Sequence, residues 1–246
     1  MSKQPYAPSC KIARSRRPSR TLLILLLGVG VWLNGCALLA PEDEADEEAE
    51  EVAPDTAAER EEAMEDYIAM VERAQEEPEA VDYAELRRRY IETPFYQPYA
   101  GREQRLADRM LTAYEEGQQE EAMELAASIL QHNYVSLEAH YVVARIYEER
   151  GDARRAERHQ HALHALFDAI RATGDGESRS RAFQVISTRE QQAFLSLYNL
   201  QPLGSELHQD ELGSHDEVTV LDPDSDEEFE LWFDVTLPTN QGMDGS

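Results

Sequence analysis

Apolar residues recur at two periods along this chain, and the change of period beyond about Tyr198 divides it. Met64, Tyr67, Ile68 and Val71 repeat at helical spacing behind Thr56-Ala57-Ala58-Glu59, which fits a capping box and predicts a helix. Asp82 and Glu85 stand in the same relation, with Tyr83, Leu86 and Tyr90 on one face, and Thr93-Pro94 should stop that second helix. An aromatic loop follows, Phe95 to Gly101, read as a plug for the end of a helical stack or as a ligand-facing rim.

The centre repeats. "YEEGQQEEAMELAASIL" (114–130) and "YEERGDARRAERHQHAL" (147–163) place Gly117 and Gly151, and Ala122 and Ala156, 34 residues apart. That is the tetratricopeptide period, in which the glycine turns the backbone between antiparallel helices and the alanine lets them approach. Ala139, Ala144 and Tyr147 complete the second unit; Met110 and Ala113 make the first a degenerate one. Two units are too few for a free solenoid, so the rest of the chain must cap them. The reading beyond is a helix over 153–172 with Gly174 as a left-handed C-cap, and a strand at 182–186. A capping box, Ser187 to Glu190, then opens a helix to about Tyr198. Beyond it the pattern turns to period two: Glu217 to Val220 alternates, 222–226 is turn chemistry, and Phe229, Leu231, Phe233 and Val235 share a face. The expected fold is α+β, a mostly helical tetratricopeptide-like hairpin stack capped by a small antiparallel sheet, over residues 56–238, with 239–246 as a disordered tail.

Composition changes the picture mainly at the ends. Of 23 basic residues, 6 lie in the first 35 with no acid among them. The remainder carries 17 bases against 50 acids, a net charge near −33 that disfavours nucleic acid and anionic surfaces. The basic start runs into Leu22–Leu33, about 12 apolar residues, short for a bilayer span of about 20 but right for a signal-peptide core. Leu33-Asn34-Gly35-Cys36 looks like a lipobox: residues 1–35 would be removed and Cys36 would carry the acyl chains. An uncleaved anchor over Leu22 to Ala40 and a twin-arginine signal at Arg16-Arg17 are the competing readings. Ala37 and Leu38, with no Asp after the cysteine, resemble lipoproteins passed on to the outer membrane. Residues 36–55, with 9 acids from Pro41 to Asp55, read as a disordered tether on the order of 25 Å in root-mean-square reach. No disulfide remains once Cys10 leaves with the signal.

Candidate chemistry is sparse. The chain after Cys36 has no lysine, which excludes Schiff-base chemistry and lysine-dependent phosphate loops. No catalytic signature occurs, so no catalytic residue and no cofactor is assigned. The cluster Arg150 to Arg189, which includes Arg155 and Arg158, would either neutralise acids within the fold or present guanidinium groups to an anion. Among the histidines at 140, 159, 161 and 164, antiparallel packing of Ala144 on Ala156 makes residues whose numbers sum to about 300 level, so His140 faces Gln160 or His159. A metal there would need a third ligand such as Asp175 or Glu190; hydrogen-bonded histidines fastening two helices are the simpler expectation. Asp222, Asp224 and Asp226 imitate a calcium loop, but Glu227 and Phe233 occupy its glycine and glutamate positions.

The ordered series "YAELRRRYIETPFYQPY", "NYVSLEAHYVVARIYEERGD", "AERHQHAL", "GDGES" and "AFQVISTREQQAFL" resembles the bacterial family designated domain of unknown function 4919. The shared positions include Tyr83, Arg87, Tyr90, Tyr96, His140, His159, Asp175 and Glu190; Gln191-Gln192 departs where an acidic-aromatic pair is expected. The resemblance implies secreted or envelope proteins with a tetratricopeptide-like body and no named activity. The expected role is therefore a lipid-anchored periplasmic scaffold, held to the membrane through Cys36 and offering a helical groove to an envelope protein or peptide. The alternative is a metal- or small-anion-binding domain or enzyme using His140, His159, Asp175, Glu190, Arg155 and Arg158.

Overall fold

The computed structural model describes residues 57–98 and 101–243. The expected signal peptide, Cys36, the acidic tether, Thr56, Tyr99 and the last three residues lie outside them. Helix α1 (Ala57–Glu76) buries Ala63, Tyr67 and Ala74. Ile68, expected on that face, is 43% exposed, because one residue around the helix from Tyr67 is about 100° off the stripe that meets α2 (Tyr83–Glu92). Asp82 caps α2 as expected, accepting from the backbone N–H of Ala84 (2.9 Å) and Glu85 (3.2 Å). Tyr83, Leu86 and Tyr90 are buried, and Arg87 is buried with them.

The two repeat units are α3 (Gly101–Glu115) with α4 (Gln119–Leu130), and α5 (Leu137–Glu149) with α6 (Ala153–Arg171). Their turns are copies of each other. Gly117 (φ 77°) and Gly151 (φ 75°) are left-handed. In each unit the glycine N–H reaches back three residues, and the next N–H reaches back five: Gly117 to Tyr114 and Gln118 to Ala113, Gly151 to Glu148 and Asp152 to Tyr147. This pair of hydrogen bonds satisfies carbonyls that a helix end leaves free. Ala122 and Ala156 are both buried where the helices cross.

The region after α6 differs from expectation in three ways. Gly174 is not the left-handed cap; Ala172 and Thr173 close α6 in ordinary helical hydrogen bonds, and Gly176 (φ 71°) takes the left-handed turn. Gly174 is needed for proximity instead, since a Cβ there would sit 2.3 Å from the carbonyl oxygen of Arg181. The strand expected over 182–186 shrinks to β1 (Phe183–Gln184), which pairs in parallel with β4 (Glu227–Asp234), so the sheet is mixed rather than purely antiparallel. Before α7 (Thr188–Leu197) the capping box is half formed: Ser187 accepts from Glu190 N–H at 3.0 Å, while the Glu190 carboxylate turns to the N–H of Ile186.

The four strands lie in the order β1-β4-β3-β2, with β2 (Gln201–Asp210), β3 (Gly213–Asp222) and β4 joined antiparallel. The turn at 222–226 is the hairpin expected, with Asp222 accepting from Asp224 N–H. Strand β2 escaped the sequence because none of its ten residues is buried, so burial imposes no alternation on it. Helix α8 (Thr236–Met243) continues past the boundary at 238.

Two cores result. Val218, Val220, Leu231 and Phe233 of the sheet join Phe194 of α7, Phe167 of α6, and Tyr67, Leu86 and Tyr90 of α1 and α2 in the larger one. The smaller holds α3, α4 and one face of α5, including Met110, Leu125, Val142 and Ile146. The sheet therefore closes the larger core on the side of α6 and α7, as the two-unit repeat required. No helix among the described residues is long and apolar enough to cross a membrane.

Candidate functional site

The level at which α5 and α6 cross brings His140 and His159 together, Nδ1 to Nδ1 at 3.0 Å. His140 Nε2 lies 2.7 Å from the Tyr134 carbonyl, which can only accept, so Nε2 carries the proton, His140 Nδ1 accepts, and His159 Nδ1–H donates. Burial, then the His159 charge, holds the His140 imidazole down to about 3; burial and Arg158 hold His159 down to about 4. Both rings are thus neutral at physiological pH. Tyr134 meets His140 edge-on at 4.8 Å and Tyr147 stacks on His159 at 6.1 Å. With both His140 nitrogens in hydrogen bonds, the pair ties α6, α5 and the loop before α5 into one unit.

The other residues expected beside the histidines have partners of their own. Asp175 is held by Arg181 and accepts from Glu177 N–H at 3.0 Å, ordering the loop after α6. Arg155 reaches Asp152 at 3.3 Å and lies over the Tyr147 ring at 5.3 Å. Arg158 acts as a nearby charge on Tyr134 and His159, drawing down the Tyr134 phenol, which burial nevertheless pushes up to about 12. Most of the arginine block neutralises acids: Arg150 with Glu120, Arg171 with Asp168, Arg181 with Asp175 and Glu177, Arg189 with Asp108 and Glu138. Arg179 meets the sheet, at Asp210.

Glu190 sits in a different constellation. Its two oxygens accept from Arg87 Nε and an η nitrogen, both at 2.8 Å, and the pair is buried, with side chains 10% and 6% exposed. Arg87 also donates to the Gln184 carbonyl (2.6 Å), Glu190 accepts from Ile186 N–H (2.8 Å), and the Tyr96 hydroxyl donates to the Ile186 carbonyl (2.7 Å). Sequence reasoning named Glu190 but not its partner. The available signal was an arginine on the buried stripe of α2, at Tyr83 plus four and Leu86 plus one.

A groove lies elsewhere again. A volume of about 210 Å³ opens between the loop after α2, the start of α3 and the end of α4. Phe95, Leu106 and Ile129 give it apolar walls, and Gln97, Arg102, Glu103 and His132 a polar rim. Phe95 meets the His132 ring edge-on at 5.2 Å. The aromatic loop therefore divides its work: Tyr96 turns inward onto Ile186 as a plug, and Phe95 turns outward as a wall. This mixture suits a side chain or short peptide, in which apolar contact gives affinity and a few polar groups fix orientation.

No curated protein and no solved structure matches the chain. The pattern described as domain of unknown function (DUF4919) matches residues 56–243, well over half of its length, and the chain belongs to that family.

Proposed function

We propose that this is an exported lipoprotein, anchored through Cys36 in the outer membrane on its periplasmic side, whose helical body holds a protein or peptide segment of another envelope component. The groove lined by Phe95, Leu106 and Ile129 carries the binding part of this reading: it offers about 210 Å³ between apolar walls and a polar rim, and it lies on a repeat unit whose helices pair as tetratricopeptide hairpins do. The anchor rests on the Leu33–Cys36 sequence, and the acidic tether would set the body's distance from the membrane. The alternative, a metal- or anion-binding site or enzyme at residues 140–190, has less support. His140 and His159 engage each other, while Asp175 and Glu190 each answer to a separate arginine.

The test places a photoreactive amino acid at Phe95 in the full-length protein in living cells, with the same group at exposed Arg154 as control. A discrete adduct from position 95, absent from position 154 and lost with Cys36→Ser, is the expected result. Palmitate labelling that requires Cys36 checks the anchor separately. Equal adducts from both positions, or none from position 95 with the protein present in the envelope, would sink the groove reading.

A further inference from the structure

Strand β2 is held to the fold almost entirely by its ladder with β3, because none of its ten side chains is buried. Its outward face nevertheless carries an organised set of ligating groups. Glu206 stands directly opposite Glu217, and His208 directly opposite His215, so two glutamates and two histidines form a square on one face of the hairpin. Directly opposed residues have Cβ atoms about 5 Å apart, close enough for their donor atoms to converge on one point. The donor atoms of Glu206, His208 and Glu217 all lie within 4.8 Å of one another, and His208 Nε2 is 3.0 Å from a Glu217 oxygen. Two carboxylates face to face across a ladder repel each other; a cation between them reverses the sign of that contact.

The residue opposite His208 supplies an independent observation, although its nitrogens lie outside the converging set. His215 is only 6% exposed, yet its Nδ1 is buried with no hydrogen-bond partner among the described residues. A buried ring nitrogen left in that state is costly unless something occupies it. Trp232 lies beside the square, opposite Glu217 on β4 and 5.0 Å from the His208 ring. Arg179 lies over Trp232 and is neutralised by Asp210, so its charge does not stand unanswered next to the site.

We infer that Glu206, His208 and Glu217, with His215 directly opposite His208 beside them, form a binding site for a divalent transition metal of the zinc class, which clamps β2 onto β3. Imidazole together with carboxylate suits zinc, cobalt or nickel, whereas calcium and magnesium call for all-oxygen shells. The role is structural: the three converging donors come from both strands of the hairpin, so an ion bound by them ties β2 to β3. The site is separate from the groove on α3 and α4, and neither reading depends on the other.

The experiment uses the full chain carrying Trp32→Phe, which leaves Trp232 as its sole tryptophan. After removal of bound ions with a chelator, Ni²⁺ is titrated while tryptophan fluorescence is followed, and Zn²⁺ is then added in competition. Saturable quenching at one equivalent, reversed by Zn²⁺ and unaffected by excess Mg²⁺ or Ca²⁺, is the expected result. His208→Gln should weaken binding by more than about tenfold, a removed ligand costing at least what loss of its supporting shell does. Zn²⁺ should also raise the thermal midpoint of the parent protein and not of that variant. If His208→Gln does not fold, Glu206→Gln, at an exposed position, is read in its place. Quenching that never saturates, or saturates equally in the variants, would mean adventitious binding at other histidines and would overturn the inference.

Discussion

His140 illustrates how a titratable residue can serve as a fastener. Its folded-state value near 3, and that of His159 near 4, lie below the value of about 6.5 for a free imidazole, so the unfolded chain takes up protons first on acidification. Stability from the pair is therefore complete above about pH 6.5 and is lost as pH falls toward the folded-state values. Each histidine contributes a slope of about 1.4 kcal/mol per pH unit once its unfolded form is protonated. Urea denaturation between pH 7 and 5 should show this decline. A His140→Leu, His159→Leu double variant should be less stable at pH 7, since the Tyr134 carbonyl loses its donor, but flatter across the same range. An unchanged slope would show that other groups govern acid sensitivity. Arg87 and Glu190 make the opposite kind of bond, charged and bidentate. Glu190→Gln keeps the shape but strands the Arg87 guanidinium in a buried site, and such a break costs about 3–5 kcal/mol. Chemical denaturation measures that loss directly; a change below 1 kcal/mol on the same scale would place water around the pair.

Turns decide the elements here, and two glycines separate two reasons for having one. Gly151 needs its left-handed φ, yet a Cβ there meets nothing within 4 Å. Gly151→Ala should cost about 1–2 kcal/mol, the price of that conformation for an L-residue. Gly174 has room in φ but none in space, with the carbonyl oxygens of Arg181 and Ala182 both within 2.5 Å of a Cβ. Those atoms are backbone and cannot rotate aside, so Gly174→Ala should cost more, roughly 3 kcal/mol, with loss of the loop that places β1. Thermal unfolding of the two variants side by side reads the order; a reversed order would refute the close-approach argument. The same contrast explains what was legible in the sequence. Gly117 and Gly151 announce themselves because their constraint is local, as does the His140 to His159 contact, which follows from helix spacing once the turn is fixed. Gly174 was misassigned because its constraint comes from residues seven and eight positions on. Arg87 was missed as a partner for Glu190 because 103 residues separate them. Strand β2 left no trace, having no buried face to pattern it, and the groove draws its walls from three elements whose approach no local signal reports.

At the scale of the whole molecule, the tetratricopeptide-like repeat and the sheet are not independent modules. Only α3, α4 and one face of α5 make a core of their own, while α6, the last helix of the second unit, belongs to the core shared with the sheet. Charge adds to the dependence on packing: with a net charge of −27, long-range repulsion opposes compaction, and raising sodium chloride from dilute to moderate concentration should raise the thermal midpoint rather than lower it. A falling midpoint would mean that the surface arginine pairs outweigh the net repulsion. The shared core makes a sharper demand. Ending the chain after Leu200 removes Val218, Val220, Leu231, Phe233 and Val235, all buried among Tyr67, Leu86, Phe167 and Phe194. At about 2 kcal/mol for each buried side chain, the loss is on the order of 10 kcal/mol, comparable to the whole stability of an ordinary domain. Helices α6 and α7 would then present an unmatched apolar surface, although the truncation leaves every helix of both repeat units intact in sequence. Circular dichroism melting of the truncated chain should therefore show no cooperative transition, and limited proteolysis should cut within α7 first. A truncated chain that still melts cooperatively with its helical content preserved would show that the two repeat units stand alone, and that the sheet was added to a stack already complete.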